Sequence, residues 1–406
     1  MGAVNGRMSA GAETNRTILF VNWAHALNHF VLLIFPAAVI AVAADLHRGY
    51  SELISLSTGA FLAFGLFALP VGWLADRFGR RAMLAAYFFG YGASCLVVAA
   101  SGSVETLAAS LFLLGIFSAI YHPIGSAMIV ANATQLGRAL GINAIWGNMG
   151  SALAAGISAE LAGNFGWRAA FYVPGLMLIA SGIAFLLLVK EGGQAAGKAG
   201  ASHKFLGSRH HLAALLAVFA TALLAGGLTF NIVTIGLPKI VDERLGLALP
   251  LAATGWITTA IFVCGAITQI SLGRLMDRVE LTVLFVWLSV LQPIGLLLAA
   301  TTTGVPMVLG LVLVTSAIYG QIVVNDGMLG RYVPGEYRNR VYSVRFFLSF
   351  TVGGLAVPVI AALHGHGGFQ AVLFVAGAIG AAIFACAIAT WALTRGRLHA
   401  VPVPAE

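Results

Sequence analysis

Twelve runs of apolar residues, each long enough to cross a bilayer, leave this chain little freedom in what it can become. They lie near residues 18–44, 51–75, 82–101, 105–130, 139–163, 168–189, 212–238, 250–276, 281–301, 304–329, 340–362 and 369–394. An apolar helix needs roughly 20 residues to cross the hydrocarbon core. Of the 406 residues 60% are hydrophobic and 9% charged, whereas about a quarter are charged in ordinary globular chains. The lipid bilayer is the expected surrounding, and nothing is left over for a large soluble domain. The expected fold class is an all-α membrane protein: twelve transmembrane helices in two six-helix halves.

A net charge of +8 does not imply a nucleic-acid partner, because the charges fall on one side. With the N-terminus in the cytoplasm, that side collects Arg7, Arg16, Arg77, Arg80, Arg81, Arg138, Lys190, Lys198, Lys204, Arg209, Arg274, Arg278, Arg331, Arg338, Arg340, Arg395 and Arg397. The opposite side has Arg48, Arg168, Lys239 and Arg244, and Arg345 stays inside a helix. An excess of Lys and Arg marks cytoplasmic loops. The expected placement is therefore a multi-pass protein of the plasma (cell inner) membrane with both termini cytoplasmic.

Between the second and third runs sits Gly72-Trp73-Leu74-Ala75-Asp76-Arg77-Phe78-Gly79-Arg80-Arg81, a charged turn in which Gly79 permits a tight reversal. A weaker copy, Gly273-Arg274-Leu275-Met276-Asp277-Arg278, occupies the same place in the second half. Ser118-Ala119-Ile120-Tyr121 also recurs as Ser316-Ala317-Ile318-Tyr319. The chain divides accordingly into 1–189, a Gly- and Lys-rich linker at 190–211, and 212–406. Two parallel halves joined this way are one repeat arrangement of secondary transporters, whose substrate site lies between the halves near the midplane.

Polar side chains within these runs are costly unless they face a cavity or a partner helix. His25, Asn28 and His29, with Asn22 a turn earlier, form one stripe on the first helix. Tyr121 and His122 on the fourth helix and Asn143 and Trp146 on the fifth are further candidates for a substrate or proton pathway, with interhelical hydrogen bonding as the alternative. Pro123 is expected to break the helical ladder beside His122. Histidine titrates near pH 6.5 when unperturbed, so His25, His29 or His122 can carry a coupling proton. In the second half Asp326 and Arg345 lie at similar depth on neighbouring helices, either as a structural ion pair or as a site for an anionic substrate. Asn231, Tyr319, Gln321 and Asn325 are secondary candidates. Cys95, Cys264 and Cys386 lack metal-ligand spacing, and there is no phosphate loop or Ser-His-Asp pattern. The chain is expected to be no enzyme, to need no cofactor or metal, and to act as a monomer.

The turn from Gly72 to Arg81 resembles the hallmark loop of the major facilitator superfamily, and Gly166-Trp167-Arg168 resembles a motif at its sixth helix. The resemblance covers the whole chain. It implies small-molecule transport by alternating access, with Gly72, Asp76, Arg77, Gly79, Arg80 and Arg81 as a conformational latch and Gly273, Asp277 and Arg278 as its weaker partner. His25-Ala26-Leu27-Asn28-His29 and Tyr121-His122-Pro123 are similar to signatures of fosmidomycin-resistance-type efflux transporters, which implies proton-coupled efflux. Two carboxylates of that pattern are replaced, by His29 and Ile124, which leaves import or uniport of a small organic anion, or a transport-dead sensor, as alternatives.

Overall fold

The computed structural model describes residues 2–190, 209–245, 248–276, 278–332 and 335–395, with side chains described for all of these except 2–13, 209–213, 216 and 330–350. Its helices are α1 (Gly2–Leu32), α2 (Ile34–Leu46), α3 (Tyr50–Ser55), α4 (Thr58–Leu66), α5 (Ala68–Phe78), α6 (Arg80–Ala99), α7 (Val104–Ser118), α8 (Tyr121–Asn132), α9 (Leu136–Phe165), α10 (Ala169–Leu188), α11 (Arg209–Arg244), α12 (Leu251–Leu275), α13 (Leu281–Thr301), α14 (Gly304–Tyr332) and α15 (Gly335–Thr394). They compose twelve spans. The first is α1 with α2, the second α3 to α5, and the fourth α7 with α8. The continuous stretch α15 is two spans, the eleventh and twelfth, reversing at Gly368, whose φ of 59° and ψ of −165° suit only glycine.

Proline explains where the first-half spans break. Pro36, Pro70 and Pro123 each lack an N–H and crowd the carbonyl four residues earlier. The interruptions fall just there, at Leu33, Phe67 and Ala119–Ile120, and the second span bends by 50°. Two expectations need correcting. The first span, expected from about residue 18, is helical already from Gly2, in keeping with Ala3, Ala10 and Ala12, which favour helix. The seventh span begins at Arg209, so the last three residues of the segment assigned to the linker are helical, and most of the rest of that segment lies outside the described residues.

The charged turn has the expected backbone: Gly79, with φ 82°, ends α5 and starts α6. Two of its arginines bond within the first half. Arg81 donates from Nε to Val189 O and from Nη2 to Leu186 O, both at 2.7 Å, satisfying carbonyls at the end of α10. Arg80 donates to Ala127 O of α8 at 3.3 Å. Asp76 is exposed, and among the described residues it forms no hydrogen bond or ion pair with Arg77, Arg80 or Arg81. The arginines therefore tie the first half to itself. Gly72 and Gly273 face open space, the Arg278 side chain forms no hydrogen bond or ion pair among the described residues, and Asp277 lies outside them.

At the opposite end the halves close on each other. Along α9 and α12, Thr259 Oγ1 donates to Ala152 O at 2.7 Å and accepts from Gly156 N at 3.0 Å, and Trp256 Nε1 donates to Glu160 at 3.2 Å. Gly255 brings α12 so near that an added Cβ would lie 2.6 Å from Ala155 O. Ser51 of α3 bonds His364 of the eleventh span at 2.9 Å, and His364 also meets Glu243 at 2.8 Å. Near the middle Asn148 still reaches Gln269 across the halves. Beyond it α9 stands alone, with no residue from 131 to 142 buried, and Val71 is the one buried residue of α5. Among the described residues, the hydrogen bonds between the halves lie at the Ser51 end and mid-span, and none lies at the Asp76 end.

Candidate functional site

The polar stripe of the first span meets the fourth and fifth spans. Helical spacing puts His25 and His29 on one face of α1, and the break at Ala119–Ile120 lets α8 restart with Tyr121 and His122 turned toward them. His25 Nε2 lies 3.1 Å from His29 Nε2, and ring nitrogens of His25, His29 and His122 all fall within 4.8 Å of one another. Tyr121 stacks on His25 with centroids 4.8 Å apart, while His122 stands edge-on to both His25 and His29 at 5.2 and 5.4 Å.

Behind this cluster is a supporting layer. His25 Nδ1 donates to the carbonyl of Asn143 at 2.7 Å, which fixes the hydrogen on that nitrogen because a carbonyl can only accept. Asn143 Nδ2 donates to Asn22 Oδ1 and to Tyr121 OH, each at 2.9 Å. Gly147 leaves room for the imidazole, since a Cβ there would come within 2.6 Å of the His25 ring. Trp146 packs edge-on against Trp23 at 6.2 Å. Asn28 is fully buried: its Oδ1 accepts from Ser118 at 2.9 Å, its carbonyl accepts from Tyr91 at 3.1 Å, and its Nδ2 has no partner among the described residues.

The second-half candidates are less gathered. Tyr319 is 2% exposed between Phe230 and Phe262. Asn231 donates to Gly227 O of its own helix at 2.8 Å and lies against Gly353. Asn325 keeps a buried Oδ1 with no partner among the described residues, and Asp326 is half-buried on the same helix. The side chain of Arg345 lies outside the described residues, and with it the expected pair with Asp326. Sequence reasoning missed a buried knot in which Gln321 bonds both Gln292 and Ser289, and missed the cross-half contacts of Asn148, Thr259, Ser51 and His364. Gln292, within an otherwise apolar run, was the available signal for the knot.

Comparisons with known proteins match this architecture. In solved structures the fold recurs in a bacterial homologue of the lysosomal transporter Spinster, inward-facing and occupied (TM-score 0.72, 14% identity, covering 93% of this chain and 94% of that one). It recurs also in the inward-open xylose transporter of Escherichia coli (TM-score 0.70, 12% identity, 95% and 98%). Among curated relatives, the tetracenomycin C resistance and export protein of Streptomyces glaucescens is 29% identical over 36% of this chain and 28% of its own length. A 4-hydroxybenzoate transporter of Pseudomonas aeruginosa is 30% identical over 35% and 32%. A membrane sensor protein of Escherichia coli is 27% identical over 45% and 42%. The chain thus spans less than half the length of each of these relatives. The profile of the Major Facilitator Superfamily matches residues 18–254 and 245–406, so both halves are covered and the chain belongs to that superfamily of membrane transporters.

Proposed function

We propose that this transporter exports a small organic compound in exchange for protons, with the Asp76 end facing the cytoplasm. The observation that carries the reading is the polar cluster of His25, His29, Tyr121, His122 and Asn143 inside the first half, with the described contacts between the halves gathered at the Ser51 end and mid-span. Cargo enters from the Asp76 end and meets that cluster, with the Asn325–Asp326 stretch as the candidate contact of the second half. Closing at the Asp76 end and parting at the Ser51 end then releases it on the other side. Asp326 can take up a proton within the spans, and so can His25, His29 and His122 when no other cation is bound to them. No nucleotide-binding motif supplies energy, so a gradient drives the cycle. The exporter among the relatives, and the resemblance of His25–His29 and Tyr121–Pro123 to an efflux group, support the outward direction.

Import of a small organic anion is the second reading, favoured by the absence of carboxylates at His29 and Ile124. Proteoliposomes with a trapped pH dye separate the two, with fosmidomycin as the first probe and 4-hydroxybenzoate as the second. Proton movement opposite to the probe is the expected result. Movement in the same direction overturns exchange, and no movement of a panel of such compounds overturns transport in favour of a sensor.

A further inference from the structure

Three imidazoles converge in the first half, and no Asp, Glu or Cys joins them among the described residues. In a hydrogen-bonded cluster two of them share one hydrogen: His25 holds its own on Nδ1, so His29 must supply the hydrogen between the two Nε2 atoms. A cation accepted in place of that hydrogen would meet lone pairs already turned inward, once His29 moves its hydrogen to Nδ1. Nitrogens bound at about 2.0–2.1 Å to a tetrahedral ion stand roughly 3.3–3.4 Å from one another. The His25 and His29 atoms, at 3.1 Å, are near that spacing, and His122 is within 4.8 Å of both.

The surroundings point the same way. An imidazole that ligates a metal gives its other N–H to a carbonyl or carboxylate, which fixes its tautomer and orientation. His25 does this with Asn143 O, and Asn143 is itself held by Asn22 and Tyr121. We propose that His25, His29 and His122 bind one late first-row divalent transition-metal ion of the Zn2+ type. Three nitrogen donors without a carboxylate disfavour Mg2+ and Ca2+, which take oxygen ligands. Three protein ligands leave a further coordination position for water or for a donor atom of the cargo. His25 and His29 stand at i and i+4 on one helix, a spacing that suits two ligands, and the third ligand, His122, comes from a separate span.

The test needs neither cargo nor direction of transport, so it stands or falls separately from the export reading. The full chain, purified in detergent without a histidine tag and stripped with EDTA, is dialysed against Zn2+ and, separately, Co2+. One ion per chain is expected, with Co2+ showing the visible ligand-field bands of a four-coordinate site. His25→Gln, His29→Gln and His122→Gln should each weaken binding by at least ~10-fold, the lower end of what loss of even an outer-shell partner produces. His364→Gln should leave binding unchanged. Gel filtration and thermal unfolding without metal identify any variant that fails to fold, and the two remaining variants then decide. The absence of stoichiometric binding, or binding that survives replacement of all three histidines, overturns the site.

Discussion

The two ends of this transporter are held by different kinds of contact. At the Ser51 end the halves meet through Thr259 on the α9 backbone, Trp256 on Glu160, and His364 on Ser51. At the Asp76 end Arg80 and Arg81 bond inside the first half, on Ala127, Val189 and Leu186. Closure at one end thus rests on short-range packing and hydrogen bonds that must all break together. Closure at the other brings basic loops toward each other, and a carboxylate becomes useful only once that has happened. On the proposed alternating-access cycle, the copies of the charged turn would meet only in the conformation closed at the Asp76 end.

The largest effect is expected from Gly255→Leu. Its Cβ alone would meet Ala159 Cβ at 2.4 Å and Ala155 O at 2.6 Å, and backbone cannot swing aside. Overpacking of this kind costs about 1–3 kcal/mol. Borne only by the conformation closed at the Ser51 end, it shifts the two populations by about 5- to 150-fold. Spin labels at Asn164 and Ala248 should then report longer separations and transport should fall. An unchanged distance distribution would show that the two ends are not in competition. His364→Ala acts on the same end more gently. It removes the bond to Ser51 and leaves Glu243 with Phe369 N at 3.1 Å. A net hydrogen bond is worth about 1 kcal/mol, so a shift of roughly fivefold in the same labels is expected. A shift as large as that of Gly255→Leu would mean that the polar contact, and not the packing, holds this end.

The parts of this arrangement differ in how far the sequence discloses them. Long apolar runs gave the spans because a helix must satisfy its own backbone in lipid, and hydropathy reports that directly. Gly79 was legible because a reversal after Phe78 needs positive φ. His25 and His29 were legible as neighbours from their spacing, and Asn143 as a polar residue within a span. That Asn143 would serve through its carbonyl was not, since every residue has one. The closed end left no trace either: Gly156, Gly255, Ala152 and Ala155 are ordinary membrane-helix residues, and their meaning depends on which span lies opposite. Prolines were ambiguous, with Pro36, Pro70 and Pro123 at breaks while Pro174, Pro238, Pro293 and Pro358 sit within continuous helices.

The smallest effect on the resting distribution is expected from Asp76→Asn, which makes it the sharpest test of the contrast. Asp76 is exposed and makes no bond here among the described residues, so its neutralisation should leave both the label distances and the melting temperature of this conformation as they were. Closing the Asp76 end is another matter. On the proposed cycle Arg274 and Arg278 of the second half would then approach, and a carboxylate facing them would supply about 1 kcal/mol if the pairing is typical of partly exposed ions. Transport of an identified cargo should drop by roughly fivefold, with Asp277→Asn giving a smaller loss because its turn carries fewer of the matching residues. A change in the resting distances would place Asp76 at work in this conformation, and an unchanged transport rate would remove it from the latch altogether.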